Sequence, residues 1–117
     1  MTGVQTCALP ICVAQGVGGA LYEELAYDQG QPQTQSLLEY VMPSATQIPA
    51  MRIGHLATPS PLNPLGVKGV GEAGTVAPPA AIVAAVEDAL RPFDARLAAT
   101  PLRPENLWRL VRSKAST

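Results

Sequence analysis

The sequence predicts an α+β fold in which helices pack on a small, mostly antiparallel sheet. Three observations lead there. An Ala- and Val-rich run after Pro78-Pro79 keeps helical spacing, and a glycine-punctuated apolar repeat does so after Val13. Between them, two alternating runs are split by the turn signal Gln29-Gly30.

In the first element, from Val13 to about Glu24, Val17, Leu21 and Leu25 recur every four residues, so one helix face is expected to be buried. Gly16, Gly18 and Gly19 are the odd feature, because each costs about 1 kcal/mol against Ala inside a helix. They imply that a neighbouring backbone or a ligand comes close, and packing against another helix is the simpler of the two. Leu25 to Asp28 and Gln31 to Tyr40 then read as a β-hairpin about Gln29-Gly30. Further on, Ala50 to Ala57 alternates loosely enough for a strand, where the lone His55 reads as a surface or hydrogen-bonded residue before it reads as a ligand.

Pro59, Pro61 and Pro64 exclude regular structure, since proline lacks the amide hydrogen and restrains its predecessor. A loop therefore delivers the chain to Gly66. Pro78 and Pro79 suit a first helical turn, and AAIVAAVEDAL continues it to Leu90 with Ile82, Val83, Val86 and Leu90 on one face. Pro92 marks the exit. A last helix is expected from Pro104, grouping Leu107, Trp108 and Val111 and placing Arg109, Arg112 and Lys114 near its C-terminus, where positive charge is favourable.

Composition excludes some functions. Eight Lys and Arg stand against nine acidic residues, a net charge of −1 in 117 residues, so no cationic stripe exists to neutralise a row of phosphates. Nucleic acid is not an expected partner. No apolar run reaches the length of a membrane span, and 47% hydrophobic residues suit a soluble globular protein. Met1 to Cys12 (MTGVQTCALPIC) lacks the basic start of a secretory signal and resembles translated sequencing-adapter readthrough. It is expected to be foreign or disordered and to contribute nothing to function. Cys7 and Cys12 do not have the spacing of a zinc or redox pair and read as two unpaired thiols. Five or six short elements around one strongly apolar helix make a thin core, which suggests part of something larger.

Gly69 to Gly74 (GVGEAG) has the G-x-G-x-x-G spacing of a dinucleotide loop. Its context argues against that reading, because PSPLNPLGVK cannot be the buried strand that must precede such glycines. Glu72 would also face a pyrophosphate. The glycines make sense if the loop aims the Glu72 carboxylate at a reacting centre, with the helix N-terminus favouring its ionised form. They make equal sense if Glu72 caps the helix.

The stretch PSPLNPLGVKGVGEAGTVAP (Pro59 to Pro78), with AQGVGGALYEELAYD (Ala14 to Asp28) and YVMPSATQIP (Tyr40 to Pro49), resembles the C-terminal end of the molybdenum-binding subunit in the xanthine dehydrogenase, aldehyde oxidase and aerobic carbon monoxide dehydrogenase family. The likeness runs from Val13 to about Glu105, and residues 13–117 are accordingly expected to form the C-terminal part of a molybdenum-cofactor-binding domain. The resemblance implies that Glu72 is the general base acting on a molybdenum-bound hydroxyl, with water as the oxygen source and hydride passing to the metal centre. It implies that Val70 and Gly71 line the metal pocket through their backbone, and that Gln15 and Gly16 start a helix near the pterin. No residue of this chain becomes a metal ligand.

The implied cofactor is a molybdenum-pterin, in the molybdopterin cytosine dinucleotide form, with iron–sulfur clusters and FAD on partner subunits or domains. The implied partners are an iron–sulfur small subunit and an FAD-binding medium subunit, assembled as a dimer of heterotrimers in the cytoplasm. Substrates in such a family are small aldehydes, N-heterocycles or carbon monoxide, and a fragment alone would be inactive. Arg103 departs from the pattern, standing where the family often has a helix-capping hydroxyl. Segments that bear a copper-binding cysteine in carbon monoxide dehydrogenases would lie upstream of Val13, and neither Cys7 nor Cys12 stands in that context. The rival reading is a non-catalytic binding or scaffold module whose glycine loop is structural; a nucleotide-binding module ranks behind it.

Overall fold

A computed structural model describes residues 2–115 of the chain. Its elements are α1 (Thr2–Leu21), the two-residue strands β1 (Tyr27–Asp28) and β2 (Gln31–Pro32), α2 (Ala73–Ala89), a 3-10 turn at Arg91–Phe93, and α3 (Pro104–Ala115). The Cα radius of gyration is 18.2 Å. A compact domain of this length would have about 13 Å. The molecule measures 60 × 37 × 30 Å, and its buried apolar residues among those described are only Ala20, Ala95 and Leu102. The thin core expected from the sequence is what the fold has.

The closest packing lies where α1 crosses α2, and small residues make the crossing possible. A Cβ on Gly16 would sit 2.9 Å from the Cβ of Pro78 and 3.1 Å from the Thr75 carbonyl oxygen. At Gly74 it would sit 2.7 Å from the Cβ of Cys12 and 2.9 Å from the Leu9 carbonyl oxygen. Both helices therefore meet backbone to backbone, which accounts for glycines inside a helix. Gly18 is filled differently: a Cβ there would overlap the Glu23 carboxylate and approach Pro43 Cδ at 2.9 Å. Gly19 faces open space. Packing is thus what two of the three α1 glycines serve.

α1 is longer than expected. It starts at Thr2, crosses Pro10, and carries Leu9 and Cys12 onto the first turn of α2, while the Cys7 side chain lies outside the described residues. α2 also starts early, at Ala73 rather than Pro78. Pro79 has no N–H for the Thr75 carbonyl four residues back, and that carbonyl instead borders Gly16 of α1. The Thr75 hydroxyl donates to the Cys12 carbonyl at 3.2 Å. Partners on α1 thus hold a helical turn that the prolines would otherwise open.

The hairpin turns where expected, with Tyr27 opposite Pro32 and Asp28 opposite Gln31. Gln29 (φ 48°) and Gly30 (φ 81°) both take the left-handed values that a two-residue hairpin turn demands. It is shorter than the sequence suggests. The Glu39 carboxylate accepts from the amides of Gln35 (2.7 Å) and Ser36 (3.0 Å), so the chain curls into a turn instead of extending the strand. Ala50 to Ala57 forms no strand, a correction to the expectation: no sheet edge is there to receive its backbone. Its residues Met51 to Gly54 instead wall a cavity of about 260 Å³ with Leu9, Pro10 and Val13 of α1 and Ala73, Gly74, Ala77 and Pro78 of α2.

α2 presents Ile82, Val83, Val86 and Leu90 half-buried, as their spacing predicts. α3 begins at Pro104 as predicted, and Arg103, in place of a capping hydroxyl, pairs with Glu24 beyond α1. Trp108 is 58% exposed with the Arg112 guanidinium 5.0 Å above its ring, so it does not join Leu107 in a core. The Leu102 amide donates to the Ala20 carbonyl at 2.7 Å and ties this end of the chain to α1.

Candidate active site

The loop from Pro59 to Glu72 is built in two parts. The first is closed and held. Gly66, at φ 63°, returns the chain against Pro59, where the Ser60 amide donates to the Gly66 carbonyl at 3.0 Å. The Asn63 side chain then pairs with the Val67 peptide: Nδ2 donates to the Val67 carbonyl at 3.0 Å, and Oδ1 accepts the Val67 amide at 3.0 Å. Lys68 Nζ donates to the Thr58 hydroxyl at 3.0 Å.

The second part, Gly69 to Glu72, is presented rather than packed. No atom lies within 4 Å of the Cβ positions of Gly69 or Gly71, and Val70 is 54% exposed. The amides of Val70, Gly71 and Glu72 have no acceptor among the described residues. One thin tether reaches back to α1, the Cys12 thiol lying 3.5 Å from the Gly71 carbonyl. At the end of the loop the Ala73 amide donates to the Val70 carbonyl (3.2 Å), and Glu72 stands at the N-cap of α2.

Glu72 occupies the cap position without capping. Its carbonyl accepts from the amides of Thr75 (2.9 Å) and Val76 (3.2 Å), but its side chain makes no cap hydrogen bond. An N-cap side chain normally stabilises its helix by about 0.5–2 kcal/mol, and α2 draws none of that from this carboxylate. The carboxylate is exposed and has no partner among the described residues. Capping of α2 by the Glu72 side chain is therefore not what the geometry shows.

Of the other residues picked from sequence, Val70 and Gly71 lie beside Glu72 in the loop. Gln15 is exposed and Gly16 buried against Pro78, both inside α1 rather than at its start. The crossing at Gly16 joins α1 to the helix whose N-terminus bears Glu72. Three backbone donors ahead of a helix N-terminus suit oxygen atoms of a group approached from outside this chain, and the one free carboxylate beside them suits a proton acceptor, not an anion contact. Asn63 was missed by the sequence reading; an Asn in a proline-rich turn, able to bond the backbone a few residues on, was the available signal. Among the described residues no cluster of His, Cys, Asp and Glu could hold a metal ion.

Comparison with known proteins finds relatives in sequence and in structure. Residues 12–49 match the model of a molybdopterin cofactor-binding domain. The chain is 44% identical over 101 residues, 86% of its length, to the nicotine 6-hydroxylase large subunit of Paenarthrobacter nicotinovorans, and spans 12% of that protein. An aligned stretch that long within 117 residues includes the whole of the loop. It is 33% identical over 92 residues to the carbon monoxide dehydrogenase large chain of Afipia carboxidovorans, covering 78% of this chain and 11% of that one. In structure it superposes on quinoline 2-oxidoreductase from Pseudomonas putida 86 with a TM-score of 0.89 at 40% identity, covering 93% of this chain and 14% of the other. A Cu,Mo-containing carbon monoxide dehydrogenase gives a TM-score of 0.89 at 26% identity, with 97% and 14% covered.

Proposed function

We propose, for a chain that is a segment of the molybdopterin-binding large subunit in the xanthine dehydrogenase, aldehyde oxidase and aerobic carbon monoxide dehydrogenase family, that its contribution is the catalytic base, Glu72. The observation that carries this is the Glu72 carboxylate itself, placed at a helix N-terminus yet without a partner among the described residues. A carboxylate in that position, exposed and making no cap hydrogen bond, is free to accept a proton.

When bound, the molybdenum-pterin cofactor supplies the two-electron chemistry and the oxygen that water provides. The residues of this chain do the rest of the local work. Glu72 takes the proton released as the substrate carbon is attacked, and the glycines on either side let its backbone come close without a side chain in the way. The amides of Val70 and Gly71 orient oxygen atoms of the cofactor. Gln15, exposed on α1, is the pterin-facing residue there, while Gly16, buried against Pro78, seats α1 on the helix that bears Glu72; their place in the family-matched segment supports both roles.

Setting residues 1–12 apart from the chemistry is part of the proposal; the family match, which begins at residue 12, supports it for the residues before that, and the part Leu9 and Cys12 play is to pack against the first turn of α2. The cytosine dinucleotide form of the pterin, iron–sulfur clusters and FAD on partners, and a cytoplasmic dimer of heterotrimers belong to the same proposal. For partner subunits, support comes from relatives named as a large subunit, a large chain and subunit gamma of a dehydrogenase complex. Among the described residues no helix is long and apolar enough to cross a membrane. Of aldehydes, N-heterocycles and carbon monoxide, the N-heterocycle is favoured. Identities of 44% and 40% are to proteins named for nicotine and quinoline, both nitrogen heterocycles, against 26% to 35% for carbon monoxide dehydrogenases.

Glu72→Gln in the complete subunit keeps the shape and removes the base. General-base catalysis contributes about 10²- to 10⁴-fold, so steady-state turnover should fall by that range with molybdenum content unchanged. Turnover equal to wild type at full molybdenum occupancy would refute the assignment.

A further inference from the structure

We propose that Asn63 is a positioning residue for Glu72, its side-chain amide clamping the Val67 peptide and so fixing the strut that carries the carboxylate; this rests on the reading of Glu72 as the base. Two anchors determine where that carboxylate goes. One is α2, which begins immediately after it. The other is Val67, the last residue before the presented segment whose peptide is held at both its N–H and its C=O.

Between the anchors the described residues add little restraint, chiefly the Val70 carbonyl that accepts the Ala73 amide at 3.2 Å. Gly69 and Gly71 bring no side chain, touch nothing at their Cβ positions, and allow the widest range of backbone angles. Lys68 adds one exposed contact, to Thr58, and Gly71 has only the 3.5 Å approach of the Cys12 thiol. Slack introduced at Val67 therefore passes to Glu72.

The residue type suits the task. Val67 turns its own N–H and its own C=O to the same side, and an Asn amide offers the complementary pair on one carbon. Ala offers neither. An ionised Asp keeps the acceptor for the Val67 amide but sets a negative oxygen against the Val67 carbonyl. The clamp is itself braced, because the Asn63 carbonyl accepts the Gly66 amide at 3.1 Å and Gly66 turns against Pro59.

The test compares wild type, Asn63→Ala and Asn63→Asp in the holoenzyme at equal molybdenum content. Hydrogen exchange of the peptide covering residues 64–72 should quicken about tenfold or more in Asn63→Ala, with α3 unchanged. A misplacement near 1 Å costs about 10²-fold in rate, so kcat should fall between about 10- and 100-fold while KM stays within about twofold. Asn63→Asp should recover turnover relative to wild type as pH falls, since the introduced carboxyl regains a donor when protonated. If Asn63→Ala fails to load cofactor, that pH signature in Asn63→Asp decides the matter.

Faster exchange with unchanged kcat would overturn the positioning role, as would wild-type exchange and turnover in both variants. Loss of turnover in the Asn63 variants alongside normal turnover in Glu72→Gln would refute the base and leave only a clamp on the loop, ending the proposal in its stated form.

Discussion

Adding a single methyl group at Gly16 and at Gly19 should have opposite effects, although both glycines lie on α1. At Gly16 the new Cβ would stand 2.9 Å from Pro78 Cβ, 3.1 Å from Pro78 Cγ and 3.1 Å from the Thr75 carbonyl oxygen. Carbon atoms prefer about 3.5–4.0 Å, so α2 must retreat by roughly 0.6–1 Å. Neither neighbour can give by a rotamer change, one being a proline ring within a helix and the other backbone.

Gly→Ala in a helix gains about 1 kcal/mol, whereas overpacking costs about 1–3 kcal/mol. The net for Gly16→Ala is a loss of up to about 2 kcal/mol. At Gly19 no atom lies within 4 Å. Gly19→Ala should therefore stabilise α1 by about 0.5–1 kcal/mol. The propensity gain is common to both, so the difference between them isolates the helix crossing. Native-state hydrogen exchange of α1 and α2 amides in the holoenzyme measures each opening free energy. Because α2 bears Glu72 at its N-cap, Gly16→Ala should also slow turnover and Gly19→Ala should not. Equal protection and equal turnover in the two variants would refute the backbone-to-backbone crossing.

Other outcomes follow from the same structure. Gly66→Ala forces a side chain into φ 63° and brings its Cβ to 2.9 Å from Pro59 Cβ; exchange at residues 59–67 should quicken and turnover should fall. The exposed Arg103–Glu24 pair should matter little: Arg103→Leu should change stability by less than about 1 kcal/mol in a denaturation midpoint. Backbone amides of Gln35 and Ser36 hold the Glu39 carboxyl below its ordinary value of 4.5, so its contribution is present above that pH and lost as pH falls through the lowered value. Acidification below about pH 4.5 should selectively loosen residues 35–39 in hydrogen exchange. The Glu23 carboxylate raises the Tyr40 phenol above 10.0, so that contact persists below pH 10 and is lost as pH climbs through the raised value, visible in the tyrosine ultraviolet titration.

The sequence made the local events legible and left the long-range ones hidden. The Gln29-Gly30 turn, the start of α3 at Pro104 and the half-buried face of α2 are each decided by residues within a few positions. The start of α2 at Ala73 is not, because the two prolines are accommodated only where Thr75 and Gly74 meet α1. The same contact hides the true buried face of α1: Val17, Leu21 and Leu25 carry the apolar period, while Gly16, Gly18 and Ala20 carry the burial. Alternation in Ala50 to Ala57 misled for a related reason, since a strand needs a partner edge and the hairpin offers none to it. At the site, Glu72 and its glycines were readable from the motif. Asn63 was not, because its partner became visible only with the loop closed.

The claim that Glu72 is the base is tested most directly by single-turnover kinetics of substrate oxidation in the holoenzyme, comparing wild type with Glu72→Gln at equal molybdenum and pterin content. That experiment reads the proton-accepting step apart from the later exit of electrons. A fall of about 10²-fold or more in the single-turnover rate, with substrate affinity retained, is the predicted result. A wild-type rate from the fully loaded variant would contradict it.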